Sequence, residues 1–168
     1  MLIVLSGLPA SGKSTVARAV VARTRAVPLR LDLVEQAVVA SGSEQHPVGP
    51  VGYYVLYALA DDLLRQGFSV IADAVNAHPG IRDHWRSVAE SAGVPVLEVE
   101  VRCSDPVAHQ RRAEERTIDI AGLPRMTWSH IEQIDYQPWD REVLRIDTAV
   151  VGAEQAAELV AERMGVGA

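Results

Sequence analysis

Eight residues near the start of the chain, Gly7-Leu8-Pro9-Ala10-Ser11-Gly12-Lys13-Ser14, follow the spacing GxxxxGK[ST]. They stand between an unbroken apolar run, Leu2 to Leu5, and a segment from Lys13 to about Thr24. That segment puts Val16, Ala17, Val20 and Val21 on one side at helical spacing, with Arg18 and Arg23 on the other. A short apolar run before a Gly-rich turn reads as a strand buried on both faces. Strand, turn and helix in that order give the spacing its physical meaning. The glycines let the backbone curl so that successive N–H groups point inward, and the following helix adds the partial positive charge of its N-terminus. Such a turn is a cradle for phosphate.

The rest of the chain repeats the alternation. A second strand is expected over Val27 to Leu31, ending at Asp32, with LVEQAVVA continuing as a helix. Ser41 to Pro50 is a loop by composition. Tyr53 to Gln66 reads as a helix stopped by Gly67, with Leu56, Leu59, Ala60 and Leu63 as its core stripe. A third strand, Phe68 to Ala72, ends at Asp73. Pro79 opens a helix in which Ile81, Trp85, Val88 and Ala92 recur on one face, and Gly93 ends it. Pro95 to Val101 and Glu142 to Asp147 complete the strands, and Ala153 to Met164 forms a last helix with Glu154, Glu158 and Glu162 in solvent. Parallel neighbours need crossover helices, so the expected architecture is α/β: one five-stranded parallel sheet with helices on both faces. One domain is expected over residues 1–168, with a lid at about 105–125.

Composition narrows the partners. Charged residues are 23% and the net charge is −6, an acidic balance that argues against a nucleic-acid surface. No stretch approaches the roughly 20 apolar residues of a membrane span. MLIVLSG lacks the basic start of a secretory leader and its apolar run is short, so a soluble cytoplasmic protein is expected, as monomer or homodimer. Cys103 is the one cysteine, so no internal disulfide forms; it is expected to be a small buried hydrophobe in its strand.

The chemistry follows from the cradle. Gly7, Pro9, Ala10, Ser11, Gly12, Lys13, Ser14 and Thr15 are the expected phosphate-binding residues for ATP. Lys13 reaches the terminal phosphates and the Ser14 hydroxyl ligates Mg²⁺. Ligands of open α/β sheets gather beyond the carboxyl ends of the strands, where Asp32 and Asp73 are expected. Asp73 is the candidate Mg²⁺ carboxylate. Asp32 is the candidate base that takes the proton of an attacking alcohol; as an N-cap it would have a purely structural role. Arg111, Arg112 and Arg116 fall in a charged stretch, His109 to Gly122, where at least one is expected to offset charge on the moving phosphoryl group. Arg112 and Arg116, four apart, share a helix face. Asn76 either contacts the acceptor or stabilises its own turn. The acceptor wall is sought among Gln36, His46, Tyr53, Tyr54, Tyr57, His78 and Arg82, with Trp128 and Tyr136 as further candidates and His109 and His130 as surface residues.

With those residues in view, the sequence resembles the small P-loop kinases, in particular the chloramphenicol phosphotransferase-like, zeta-toxin-like and polynucleotide-kinase-like families. The likeness runs through the phosphate turn, Leu31 to Ala37, Ile71 to Val75, Val101-Arg102-Cys103 with Arg112 and Arg116, and Asp147-Thr148. It implies a three-layer P-loop NTPase fold with strand order 2-3-1-4-5. It further implies Asp32 as the activating base, Arg112 and Arg116 on the ATP phosphates, and Asp147 near the adenine. The third residue after Asp32 is Glu35, where relatives with phosphorylated acceptors carry an Arg. An acid there favours an alcohol of neutral or cationic character. The expected activity is therefore transfer of the ATP γ-phosphate to a small-molecule hydroxyl, with catalytic Asp32, Lys13, Arg112 and Arg116. A nucleotide or polynucleotide 5′-hydroxyl kinase and an ATP-binding switch are the alternatives.

Overall fold

In the computed structural model, which describes residues 1–165, the first apolar run forms β1 (Leu2–Ser6), and every residue of it is buried. The last three residues of the expected domain lie outside the described part. β1 is the middle strand of a five-stranded sheet with β2 (Val27–Arg30), β3 (Val70–Asp73), β4 (Val96–Arg102) and β5 (Leu144–Asp147). The spatial order is β2-β3-β1-β4-β5 and each neighbouring pair is parallel, as the alternation and the resemblance together led one to expect.

The two faces of the sheet bury alternate residues, because successive strand side chains point to opposite sides. Ile3, Leu5, Ile71, Val99, Val101 and Ile146 face α1 (Lys13–Thr24) and α7 (Ala153–Arg163), which bring Val16, Val20, Ala157 and Val160. Leu2, Val4, Val70 and Ala72 face the other layer. There α2 (Leu31–Ala40) contributes Leu31, α3 (Val51–Arg65) contributes Leu56, Tyr57, Ala60 and Leu64, and α4 (Pro79–Ser91) contributes Trp85, Val88 and Ala89. The solvated acids Glu154, Glu158 and Glu162 lie exposed on α7 as expected.

Several boundaries differ from expectation. β2 stops at Arg30, which pairs with Asp73 at the end of β3; Leu31 then turns into the core, so Asp32 sits in the first turn of α2 instead of closing a strand. On α3 the buried stripe is Leu56, Tyr57, Ala60 and Leu64, while Leu59 is exposed. Docking against α4 rotates the helix toward Tyr57, which packs on Trp85. Phe68 is outside β3 and exposed, its N–H closing the end of α3 on the Leu63 carbonyl. Cys103 lies one residue past β4 and is half-buried, with Sγ 3.4 Å from the Asp105 carbonyl. The charged stretch splits into α5 (Pro106–Glu115) and an irregular segment that leads to α6 (Trp128–Glu132).

Candidate active site

Parallel topology brings the carboxyl ends of β1, β2 and β3 to one edge, and the turn Gly7 to Gly12 springs from it. Two glycines in the turn are obligatory. Gly7 has φ 141°, and a Cβ there would stand 2.0 Å from the Val101 carbonyl oxygen. Gly12 has φ 103°, with the Thr148 methyl 3.0 Å from where a Cβ would stand. The Gly7 N–H is spent on the Val75 carbonyl at 3.0 Å, which ties the turn to the loop after β3. From Gly12 the helix begins directly, Thr15 and Val16 donating to the Gly12 carbonyl at 3.1 and 3.0 Å.

Lys13 folds back over the turn, its Nζ donating to the Leu8 carbonyl at 2.8 Å. Burial pulls its pKa down to about 8, against the attraction of the Asp73 and Asp32 carboxylates and with help from the Arg116 and Arg30 guanidiniums. Those four groups therefore share one electrostatic site with Lys13. Asp73 is buried, and its carboxyl is pushed upward by desolvation, while Lys13 and the Ser14 hydroxyl favour the ionised form. The fit to a polyphosphate rests on what this turn leaves unsatisfied. Ser11 Oγ is buried without a partner, Lys13 Nζ has only a carbonyl of its own loop, and the start of α1 carries no acidic residue. Ser11, Lys13 and the free N–H groups would hold phosphates, and Ser14 with Asp73 has the hard oxygen donors Mg²⁺ takes.

On the far side of Gly12 a cleft of about 250 Å³ lies between Thr15, Val16, Arg112, Thr148, Val151 and Ala153. Arg112 is fixed there, donating to Thr148 Oγ1 at 2.8 Å and to the Thr148 carbonyl at 3.0 Å. Thr148 Oγ1 in turn donates to the Ser11 carbonyl at 2.7 Å. Asp147 stands behind this threonine. Its Oδ1 accepts N–H groups of Ser104 and Ala149, and the Ser104 side chain, followed by these amides, keeps its carboxyl below the ordinary range. Arg116 caps the end of α5 close enough to Lys13 to depress its pKa, whereas Arg111 is exposed.

Asp32 and Glu35 lie one turn apart on α2, and Arg30 Nη2 is 3.7 Å from Asp32. The same guanidinium grips Asp119, its Nη1 reaching both carboxylate oxygens at 2.9 and 2.8 Å. Asp119 belongs to the irregular segment after α5, so that segment is held down beside Asp32. Gly122 closes against Gln36, whose amide is 2.7 Å from where a Cβ would stand. Glu35 is pushed up to about 7, first by burial and then by Asp32.

Several candidates have other employment. Asn76, at φ 48°, donates to the Leu5 carbonyl at 2.9 Å and accepts from Trp85 Nε1 at 3.0 Å, so its side chain is consumed inside the core. Arg82 is buried and donates to the carbonyls of Asn76, Ala77, Gln137 and Pro138, between the rings of Tyr136 and Trp139. It walls no pocket. His109 is buried against the phosphate turn, contrary to the surface position expected. His46 bonds Gln36 at 3.2 Å on an exposed edge, His78 precedes α4, His130 is exposed, and Trp128 stands edge-on to His109. Tyr53, Tyr54 and Tyr57 do line a common cleft. Sequence reading missed Arg30 and Asp119, which are 89 residues apart and acquire a role only by meeting.

The comparisons bear on the fold. A family model described as AAA domain matches residues 2–129. A protein from Chloroflexus aurantiacus assigned as a kinase superposes with TM-score 0.77 at 17% identity, over 99% of this chain and 97% of that one. A sugar kinase from Janibacter gives TM-score 0.70 at 17% identity, over 99% and 95% of the two chains. The Mycobacterium tuberculosis APS kinase CysC, solved with AMPPNP and APS, gives TM-score 0.71 at 21% identity, over 98% and 96%. Comparison by sequence with curated proteins finds no match. The chain belongs to the AAA domain family, and its fold is that of the small P-loop kinases.

Proposed function

We propose that the chain is an ATP-dependent kinase that moves the γ-phosphoryl group to the hydroxyl of a small molecule. The observation that carries this reading is the convergence of Lys13, Asp73, Asp32 and Arg116 within one electrostatic site at the carboxyl ends of β1 to β3. A site for binding alone has no need of a second, half-exposed carboxylate beside the first. AMPPNP, an ATP analogue, is bound by the CysC structure of the same fold, which supports ATP here.

In this reading the turn residues Gly7, Pro9, Ala10, Ser11, Gly12, Lys13, Ser14 and Thr15 hold the triphosphate. The cleft beside Thr15, Val16 and Arg112 takes the nucleoside end, with Asp147 fixing the Thr148 turn that walls it. Mg²⁺, held by Ser14 and Asp73, would neutralise charge on the phosphate oxygens. Asp32 accepts the proton as the acceptor oxygen bonds to phosphorus, and the bond from phosphorus to the ADP oxygen breaks. Lys13 and Arg116 offset the charge that spreads over the transferring group. Arg112 acts from the nucleoside side, because both of its terminal nitrogens are committed to Thr148. The residues from 105 to 125 form the lid of a single domain. No helix among the described residues is long and apolar enough to cross a membrane, and the acidic balance suits a cytoplasmic enzyme acting on small molecules.

ADP release measured with and without added alcohols tests the activity, and Asp32→Asn tests the base. A general base contributes about 10²–10⁴-fold, so the variant should lose at least about a hundredfold in kcat while binding ATP normally. Turnover equal to wild type would remove Asp32 from that role.

A further inference from the structure

Beside the phosphate site lies a cleft of about 380 Å³ that the transfer reaction has not so far used. It opens between the loop before α3, the first two turns of α3 and the first two turns of α4, with Tyr53, Tyr54, Tyr57, Ile81 and His84 in its wall. The Tyr57 and His84 rings are stacked, with centroids 4.0 Å apart and planes inclined by 20°. Tyr54 stands edge-on to both, at 6.0 and 5.9 Å. No Lys, Arg, Asp or Glu lines this cleft among the described residues. The phenol and imidazole groups offer hydrogen bonds but no Lys or Arg countercharge for a phosphoryl group, whereas a ring or an apolar body would find π-faces and edges.

Tyr53 joins this cleft to the acids of α2. Its hydroxyl accepts the Asn76 N–H at 3.3 Å. The Glu35 and Asp32 carboxylates both oppose its ionisation, which burial already resists, and the phenol is pushed up to about 12. Glu35 packs against Gly52, the residue before Tyr53, with its Cγ 2.9 Å from where a Gly52 Cβ would stand. Among the described residues Glu35 has no ion-pair partner, whereas Asp32 lies 3.7 Å from Arg30, itself shared with Asp119, and also attracts Lys13. Glu35, one turn from Asp32 on the same helix face, is thus the acid of the pair without a countercharge of its own.

We infer that the acceptor is an alcohol bearing a cationic nitrogen on an aromatic or apolar body, seated between the Tyr54–Tyr57–His84 cleft and the Asp32–Glu35 pair. This rests on the kinase reading above and names the substrate class of that same site. A cation supplies the countercharge that Glu35 lacks and is attracted to aromatic faces. An acceptor carrying carboxylate or phosphate meets like charge at the point of entry.

Calorimetric binding of AMPPNP with Mg²⁺ comes first, and its absence would strike the kinase reading itself. In the AMPPNP-loaded protein, three probes are then titrated: phenylethanolamine, neutral benzyl alcohol and anionic gluconate. Phenylethanolamine should bind about tenfold or more tighter than benzyl alcohol, with gluconate silent. Glu35→Gln, which keeps the volume, should close most of that gap. Tyr54→Ala, at a side chain 63% exposed and dispensable to the core, should weaken both aromatic probes several-fold. Each variant's AMPPNP affinity, expected to be unchanged, reports that the protein is folded. With AMPPNP binding intact, the inference is overturned by gluconate binding, by failure of phenylethanolamine to bind, by its binding no tighter than benzyl alcohol, or by affinities that survive both substitutions.

Discussion

His109 places Nε2 2.8 Å from the carbonyl oxygen of Pro9, and both residues are buried. A carbonyl only accepts, so Nε2 carries the proton in this contact. The residue sits on α5, three positions before Arg112, and Trp128 closes edge-on behind it at 5.0 Å. The shape of the phosphate turn is therefore held from outside by two side chains: His109 on the Pro9 carbonyl and Thr148 on the Ser11 carbonyl. Arg112, bound to Thr148, completes the clasp.

His109→Ala should accordingly weaken nucleotide binding without touching a phosphate. A lost buried hydrogen bond with its acceptor left unsatisfied costs about 1–3 kcal/mol, so ATP affinity should fall roughly five- to a hundredfold. Titration calorimetry with ATP and Mg²⁺ measures it. Unchanged affinity would mean that the turn keeps its shape without the imidazole.

Lys13 gives nucleotide binding a pH dependence of definite sign. In the free protein burial holds its pKa down at about 8. A bound polyphosphate favours the ammonium and raises that value. Between the free and bound pKa values the complex holds more protons than the free protein, so affinity is greatest below pH 8 and falls as pH rises through it. Calorimetry in buffers of different ionisation enthalpy should show net proton uptake at pH 8 that vanishes near pH 6. Proton release at pH 8 would contradict the picture.

Arg82 predicts a large loss of stability at a residue remote from the phosphates. Its guanidinium donates to four main-chain carbonyls and lies 4.2 Å from the Trp139 ring centroid and 5.0 Å from that of Tyr136. Arg82→Met keeps much of the length and strands those carbonyls. The expected cost is about 3–5 kcal/mol, read by urea denaturation. A loss below about 1 kcal/mol would show that water can replace the guanidinium.

The opposite behaviour is expected at Asp119. Its pair with Arg30 is partly exposed, so Asp119→Asn should change global stability by less than about 1 kcal/mol. Local opening should change more. Amide hydrogen exchange over residues 117–123 should accelerate severalfold while the sheet stays protected. Equal exchange in both proteins would mean that the ion pair does not hold this segment down.

How much of this was legible in the chain can be judged residue by residue. The phosphate turn was legible because every determinant of it is local: an apolar strand, glycines at fixed offsets and a helix start lie within two dozen residues. The parallel sheet was legible too, since strand and helix signals alternate and chain connectivity then leaves few topologies. Asp73 and Asp32 could be placed at one edge of the sheet because carboxyl ends of parallel strands converge, although Leu31 turned inward and moved Asp32 onto a helix.

What the linear order could not disclose is which distant polar groups would meet. Asn76 reads equally as an acceptor contact or as a loop residue stabilising its own turn, yet its side chain is drawn into the core by Trp85 and the Leu5 carbonyl. Nothing beside His109 in the sequence announces Pro9, and nothing near Arg30 announces Asp119. Local pattern is set by backbone sterics and hydrophobic periodicity, which act over a few residues. The pairing of buried polar groups is set by where the packed layers bring them, because each must find a partner once water is gone. The amino-acid order thus determined the cradle and the sheet, while the tertiary structure alone decided who clasps the cradle and which aromatic rings gather beside it.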